Sequence, residues 1–245
     1  MMELFLIFIL GTCLGSFYNV VALRLMDGKE VNHFIFGRSS CPKCEEILAP
    51  LELIPLISFL ALRGRCRHCR GKISPIYFVG EMITGITFVI IFVSIGASLS
   101  LIPHLLLGSL LVISVITDLL KGIVLNKMIF FFGILILLTR IVIIEELFYH
   151  LISGLFSFLL LFAVMVLSGH KMGGGDVKLY GIIGLGVGLL DSLASLFFAS
   201  LIGLAVMLPG LISGRISRKT EIPFVPFIWA GVMVTYMVDV LTIFI

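Results

Sequence analysis

The chain has 245 residues, of which 60% are hydrophobic and only 13% are charged. Its mean hydropathy is +1.24, whereas an ordinary soluble domain has about 25% charged residues. A single core of this size cannot bury so much apolar surface. The composition therefore excludes a disordered chain, a nucleic-acid-binding domain and a soluble globular enzyme, and it predicts an integral protein of the lipid bilayer.

Charge-free apolar runs predict an all-α polytopic fold with about eight transmembrane helices. The first run, Leu4–Leu23, is long enough to cross a bilayer as one helix. The next, from Met82 to Thr117, is expected to form two helices because Gly96-Ala97-Ser98 and Pro103 interrupt it. Five more runs follow, namely Met128–Thr139, Leu147–Gly169, the short Leu179–Leu190, Ser192–Gly214 and Ile222–Val238, and the first of these is expected to continue past Arg140 to Ile144.

The basic residues predict the orientation of these helices. With eight helices, 16 of the 17 Lys and Arg residues fall in loops on one face of the membrane, and only Arg140 lies near the other face. The positive-inside rule makes the basic face cytoplasmic and both termini extracytoplasmic. The net charge of +3 follows from this bias, so it requires no nucleic-acid partner.

Four cysteines lie in the one long polar loop, residues 24–76, which separates helix 1 (1–23) from a membrane-embedded region (77–245). They are spaced as two C-x2-C pairs, Cys41 with Cys44 and Cys66 with Cys69, a pattern typical of a structural zinc site. Four thiolates close a tetrahedral shell, so the metal would stabilise the loop rather than bind substrate. Disulfide or redox use and a degenerate site are the alternatives, and the cytoplasmic placement disfavours stable disulfides.

Two aspartates, Asp118 and Asp176, are predicted at the same membrane boundary, each at the end of an apolar run. Each alone is readily explained as a solvated interfacial carboxylate paired with Lys121 or Lys178. However, Gly173, Gly174 and Gly175 form a poor helix before Asp176 and favour irregular backbone lining a wet cavity. Two carboxylates at one depth can share a proton, and one then serves as general base while the other protonates a carbonyl. The pair therefore suggests aspartyl proteolysis.

Several stretches together resemble the type IV prepilin peptidases, a family of membrane aspartyl proteases. They are Gly15–Val21, Arg38–Cys44, Leu53–Leu60, Arg63–Cys69 with Ile73-Ser74 and Tyr77, and Met172–Leu179. The resemblance implies that Asp118 and Asp176 are the catalytic pair and that the four cysteines bind zinc. It further implies cleavage of the short basic leader of pilin-like precursors after a Gly, at the cytoplasmic face of a bacterial cytoplasmic membrane.

The resemblance also implies a second reaction, methylation of the new N-terminus with S-adenosylmethionine, in support of type IV pili, type II secretion or competence pseudopili. The residues alone give no sign of it, because no glycine-rich strand–helix motif for a methyl donor occurs. Near the membrane face, Glu81 is either a contact for the basic leader or an interfacial anchor. Lys178 either tunes Asp176 or marks the inner face, and the triple glycine is expected to move as substrate enters.

Two stretches depart from the family pattern. Val124-Leu125-Asn126 lacks the usual proline, and Val225 replaces a typical glycine in Ile222–Phe227. Neither departure is expected to touch the protease residues. Two other functions stay open: a non-enzymatic assembly factor that uses the zinc loop for docking, and a proton-coupled transporter. The transporter is disfavoured because the helices lack polar residues through the membrane midplane.

Overall fold

The computed structural model describes residues 1–26, 39–41, 43–143, 146–169, 172–213 and 222–243. In these ranges the chain is helical apart from turns and two isolated β-bridges, so the predicted all-α polytopic fold is confirmed. A 3-10 turn covers Pro50–Leu53. The α-helices are α1 (Met2–Met26), α2 (Ile57–Ala61), α3 (Ile76–Ile95), α4 (Leu101–Lys121), α5 (Asn126–Ile143), α6 (Leu147–Leu167), α7 (Gly174–Val187), α8 (Leu189–Ile212) and α9 (Val225–Ile243).

Eight of these helices correspond one to one to the eight predicted apolar runs. In the described part of the chain, six are long and apolar enough to cross a membrane, namely α1, α3, α4, α5, α6 and α8. The described apolar part of α9, Val225–Val238, is shorter. Helix α7 has only 14 residues and is therefore about 21 Å long. The chain is a multi-pass membrane protein.

Several helix ends lie a few residues from the ends of the predicted runs, and two of these differences involve proline or glycine. Pro103 lies inside the first turn of α4 rather than at a break, because the N–H groups of a first turn have no intrahelical acceptor to lose. Helix α7 starts at Gly174 rather than Leu179, so two of the three glycines are helical. It ends at Gly188, whose φ of 91° is readily adopted only by glycine.

The chain divides into two compact units, Met1–Val89 and Ile90–Ile245. In the first unit, α1 packs directly against α3 through small residues. A Cβ added at Gly11 would lie 2.9 Å from the Cα of Gly85, so the two backbones approach as in small-residue membrane packing. The side-chain amide of Asn19 in α1 donates to the carbonyl of Tyr77 in α3 at 2.9 Å.

In the second unit, α4 is the most buried of the membrane-length helices, with 78% of its apolar window inside the protein. Helix α7 packs closely on α6, since a Cβ added at Gly154 would lie 3.0 Å from the carbonyl oxygen of Gly181. Gly186 of α7 in turn lies against Leu107 of α4. Gly181 and Gly186 of α7 therefore serve close helix packing.

Candidate active site and metal centre

Asp118 lies in the last turn of α4 and is 7% exposed. Its Oδ2 accepts the backbone N–H of Val225 at 3.0 Å. Val225 is the first residue of α9, so the carboxylate faces a helix N-terminus, where unpaired N–H groups and the helix dipole favour negative charge. One oxygen of Asp118 is thus held by the protein backbone.

Asp176 lies in the first turn of α7, where its backbone N–H donates to Gly173 at 3.1 Å. Its side chain is partly buried and lies within electrostatic range of Asp118. Helices α4 and α7 therefore bring together two carboxylates that are 58 positions apart in the sequence. Two neighbouring carboxylates of this kind are able to share one proton.

The three glycines before Asp176 have different surroundings. Gly173 is the extended N-cap of α7, and nothing lies within 4 Å of a Cβ placed on Gly174. A Cβ on Gly175 would lie only 2.9 Å from the Cβ of Val124, in the turn that follows Asp118. Gly175 thus allows the start of α7 to pack against that turn, and this contact fixes the position of the following aspartate.

Lys178 is exposed, and its Nζ donates to Oδ1 of Asn126 at 3.0 Å. Asn126 is the first residue of α5. The lysine therefore connects the start of α7 to the start of α5, a contact that neither of the roles predicted for it includes.

The expectation that the two departures from the family pattern do not touch the protease residues is wrong. Val225 donates its N–H to Asp118, and Val124 packs on Gly175 directly before Asp176. Sequence reasoning missed Val225 because a backbone donor carries no residue signature. The available signal was its position between Pro223 and Pro226 at the start of the last helix.

The four cysteines lie on two turns with the same backbone pattern. In the first, the N–H of Cys41 donates to Glu46 and the N–H of Glu45 returns to Cys41. In the second, the N–H of Cys66 donates to Gly71 and that of Arg70 returns to Cys66. Glu45 and Arg70, each of which follows the second cysteine of its pair, both have a φ of 58°. This repetition explains how a two-residue spacing aims both sulfurs of each pair to one side.

The four sulfur atoms lie within 4.8 Å of one another. Sulfur separations are 3.9 Å between Cys41 and Cys69 and 4.0 Å between Cys44 and Cys66. A tetrahedral zinc with Zn–S bonds of about 2.3 Å needs sulfurs about 3.8 Å apart, so the cluster fits this metal. The backbone N–H of Lys43 lies 3.5 Å from the Cys41 sulfur and lowers the pKa of that thiol, whereas burial and the neighbouring thiols raise the pKa of Cys44.

Comparison with known families agrees with these two sites. Residues 9–95 match the Bacterial Peptidase A24 N-terminal domain, and residues 105–208 match the Type IV leader peptidase family. The chain belongs to the type IV leader peptidase family. As a member of this family it is an enzyme, a membrane peptidase of the aspartic type.

Curated relatives support the same family over nearly the whole chain. The prepilin leader peptidase/N-methyltransferase of Bacillus subtilis is 33% identical over 95% of this chain and 93% of its own length. The proteins of the same name from Vibrio cholerae and Aeromonas hydrophila are 32% and 31% identical, over 76% and 91% of this chain and 78% and 86% of their own lengths. No solved structure matches the chain.

Glu81 lies in α3, within the segment that matches the family's N-terminal domain, and is 7% exposed. Its Oε2 accepts the backbone N–H of Leu56 at 2.8 Å. Leu56 precedes α2 and has a φ of 61°, so the carboxylate holds a turn with a positive φ in place. Glu81 is thus a buried anchor of this turn.

A cavity of about 350 Å³ lies beside this anchor, within the first unit. Its wall combines aromatic rings, hydroxyl groups and charges of both signs, including Arg24, Glu52, Phe59, Arg67, Tyr77 and Glu81. Oε1 of Glu52 is buried there without a hydrogen-bond partner among the described residues. Small-molecule sites have this size and this mixture of apolar wall and few polar groups.

Proposed function

We propose that this chain cleaves type IV prepilin-like precursors with Asp118 and Asp176 as the catalytic pair. The observation that carries the proposal is that the two carboxylates, at the ends of α4 and α7, lie within electrostatic range of each other. Membership of a peptidase family disfavours the alternative of a non-enzymatic assembly factor.

The surroundings of the pair support a different role for each carboxylate. Asp118 receives an N–H bond at the start of α9, and such a donor stabilises the ionised form, so Asp118 is the general base. Asp176 then carries the shared proton and is the general acid. Asp118 takes a proton from water as the water oxygen bonds to the scissile carbonyl carbon, and Asp176 protonates the carbonyl oxygen. When the C–N bond breaks, Asp118 passes its proton to the leaving nitrogen and Asp176 recovers its own.

We place this reaction at the cytoplasmic face, where the positive-inside rule puts the basic loops. The substrate class follows from the names of the relatives, which are prepilin leader peptidases. Precursors of this class would present a short basic leader ending in Gly, and their products would serve pili, type II secretion or competence. Because Glu81 is a buried anchor, we do not assign it a contact with the leader.

The experiment is a leader-cleavage assay with purified enzyme in detergent or vesicles and a prepilin-like precursor. Separate Asp118→Asn and Asp176→Asn variants are expected to lose cleavage, while the control Glu3→Gln, an exposed carboxylate at the start of α1, keeps it. Full processing by either aspartate variant would exclude the proposed pair.

We further propose that Cys41, Cys44, Cys66 and Cys69 hold a structural zinc ion, since their sulfurs have the separations that four Zn–S bonds require. Bound zinc would offset half of the negative charge of the four thiolates and join the two turns. Because all four ligands come from the protein, the ion has no open position for substrate. The loop domain of residues 24–76 is therefore proposed as a metal-stabilised module.

The second reaction that we propose is methylation of the mature N-terminus, with the methyl donor in the 350 Å³ cavity of the first unit. S-adenosylmethionine would supply an electrophilic methyl group to the free amine. The lining fits this molecule: the negative charge of Glu52 suits an ammonium group, and Arg24 and Arg67 suit a carboxylate. Aromatic rings at Phe59 and Tyr77 suit a purine base.

Mass spectrometry of the processed product tests methylation. With S-adenosylmethionine present, the product of the wild-type enzyme is expected to gain 14 Da, the mass of a CH₂ unit. Glu52→Gln is expected to cleave normally but to methylate poorly and to bind the donor more weakly in a calorimetric titration. An unmethylated product from active wild-type enzyme would refute methylation, and normal donor binding by Glu52→Gln would refute the cavity as its site.

A further inference from the structure

Arg140 is the exception among the 17 Lys and Arg residues, because the sequence places it near the face opposite the basic loops. It lies in the last turn of α5 and is only 6% exposed. Its Nη2 donates to the carbonyl of Gly186 in α7 and lies 3.2 Å from Nε2 of His104 in α4. Arg140 is therefore a buried connection between α4 and α7.

Helix α7 needs such a partner because its last turn is buried. It has only 14 residues, and its last four residues, Gly184–Val187, are buried in the protein, so their carbonyls are shielded from water. The final four carbonyls of a helix have no intrahelical donor, and a buried carbonyl without any partner destabilises the fold. The guanidinium of Arg140 satisfies Gly186 and adds a positive charge at the negative end of the helix dipole.

His104 extends the connection to the last helix. Because its Nε2 accepts from Arg140, its Nδ1 carries the proton and donates to Oη of Tyr236 in α9 at 2.6 Å. His104 and Tyr236 are both more than nine-tenths buried. The three side chains thus join the helices whose other ends supply Asp118, Asp176 and the N–H of Val225.

We propose that Arg140 is a positioning residue for the carboxylate pair, an inference that rests on the proposed function of Asp118 and Asp176. Asp118 is about 21 Å along α4 from His104, and Asp176 is about 15 Å along α7 from Gly186. Because helices are stiff over these lengths, fixing α4 and α7 at one end sets the relative height of the carboxylates at the other. Leu107 of α4 also packs on Gly186, so van der Waals contact and the hydrogen bonds of Arg140 hold α4 and α7 together at the same place.

The test compares the pH dependence of kcat for Arg140→Met, Arg140→Lys and Ile136→Ala. Ile136 lies one turn before Arg140, is fully buried, and has no place in the connection, so Ile136→Ala is the matched control for lost stability. A displacement near 1 Å costs about 100-fold in rate. Arg140→Met is therefore expected to lower kcat about 10- to 100-fold with KM nearly unchanged, and to narrow the pH profile because separated carboxylates interact less. Arg140→Lys, which still offers Gly186 a donor, is expected to recover part of the loss.

A loss of folded protein lowers the rate equally at every pH, so the shape of the profile separates positioning from stability. If Arg140→Met keeps the wild-type profile, as Ile136→Ala is expected to, the positioning role is wrong while the proposed cleavage by Asp118 and Asp176 stands. If cleavage survives in the aspartate variants, the proposed function itself fails. If Arg140→Met does not fold, His104→Phe is the deciding variant, because it removes the link to α4 but leaves the bond between Arg140 and Gly186. An unchanged pH profile of kcat in His104→Phe would then overturn the inference.

Discussion

The cysteine cluster and the carboxylate pair are assembled in opposite ways. All four cysteines fall between residues 41 and 69, on two turns whose backbone bonds repeat each other. Each turn orients its own two sulfur atoms, so only the distance between the two turns depends on packing outside them. Local sequence therefore determines most of this site, and a bound metal would complete it.

The carboxylate pair depends on distant packing. Asp118 ends α4 and Asp176 begins α7, with two complete helices, α5 and α6, between them in the chain. Their approach is set by α9 through Val225, by the Gly175 contact with Val124, and at the far end by Arg140. Substitutions remote from the carboxylates should therefore affect cleavage, whereas the metal site should respond only to changes within its own segment.

The largest effect is expected when the carboxylate pair itself is broken. If the two groups act as one unit, Asp118→Asn and Asp176→Asn should each lower single-turnover cleavage by about 10⁴-fold, and the double variant should lose little more. Single-turnover rates for the two single variants and the double variant provide the measurement. A single variant that retains more than a tenth of the wild-type rate would show that the carboxylates do not share the chemistry.

Removal of zinc is expected to unfold the cysteine segment without unfolding the helices of the second unit. A structural zinc contributes about 10–16 kcal/mol of apparent binding free energy in small domains, so its loss exposes the backbone of residues 39–74. Hydrogen exchange with and without a strong chelator measures this region by region. Metal analysis should give one zinc per chain for wild type and for Cys13→Ser, but none for Cys44→Ser. If chelation lowers the hydrogen-exchange protection of α4 as much as that of the cysteine segment, the metal site does not act on its own segment alone.

An intermediate effect is expected at Val225. Proline is tolerated in the first position of a helix, so Val225→Pro removes the donor to Asp118 and leaves α9 intact. A hydrogen bond to a charged group is worth about 1.5–3 kcal/mol, which corresponds to a loss of about 10- to 100-fold in kcat. Val225→Ala keeps the N–H and should stay within about twofold of wild type. Equal losses in the two variants would assign the effect to packing instead of the bond.

The sequence predicts the cysteine cluster and the helical fold well because both depend on local patterns. The C-x2-C pairs, the apolar runs and the break at Gly96 are each read from neighbouring residues, and the structure bears them out. The start of α7 is predicted five residues too late, because glycine is penalised in helices in general but costs less in a first turn that lacks intrahelical acceptors.

Partners across helices are beyond what the sequence can predict. Arg140 counts as a lone exception in the charge pattern, and only the structure pairs it with Gly186 and His104. Val225 contributes a backbone group, which any residue except proline has, so its side chain gives no hint of its bond to Asp118. Such contacts join residues more than 35 positions apart, and helix packing alone determines them.

The smallest expected effect separates two explanations of the triple glycine, flexibility and close approach. If Gly175 is needed for close approach, Gly175→Ala should lower stability by about 1–3 kcal/mol and cleavage severalfold, because its Cβ would lie 2.9 Å from that of Val124. Gly174→Ala meets nothing within 4 Å and should be neutral or stabilising by about 0.4–1 kcal/mol. Adding Val124→Ala to Gly175→Ala leaves the contact between the two Cβ atoms but removes Cγ2 of Val124, which would lie 3.3 Å from the new methyl group. The smaller side chain also lets the turn shift, so the double variant should recover part of the lost stability and cleavage. If both alanine variants lose cleavage equally and Val124→Ala rescues neither, backbone freedom at this loop, rather than contact, is what the reaction requires.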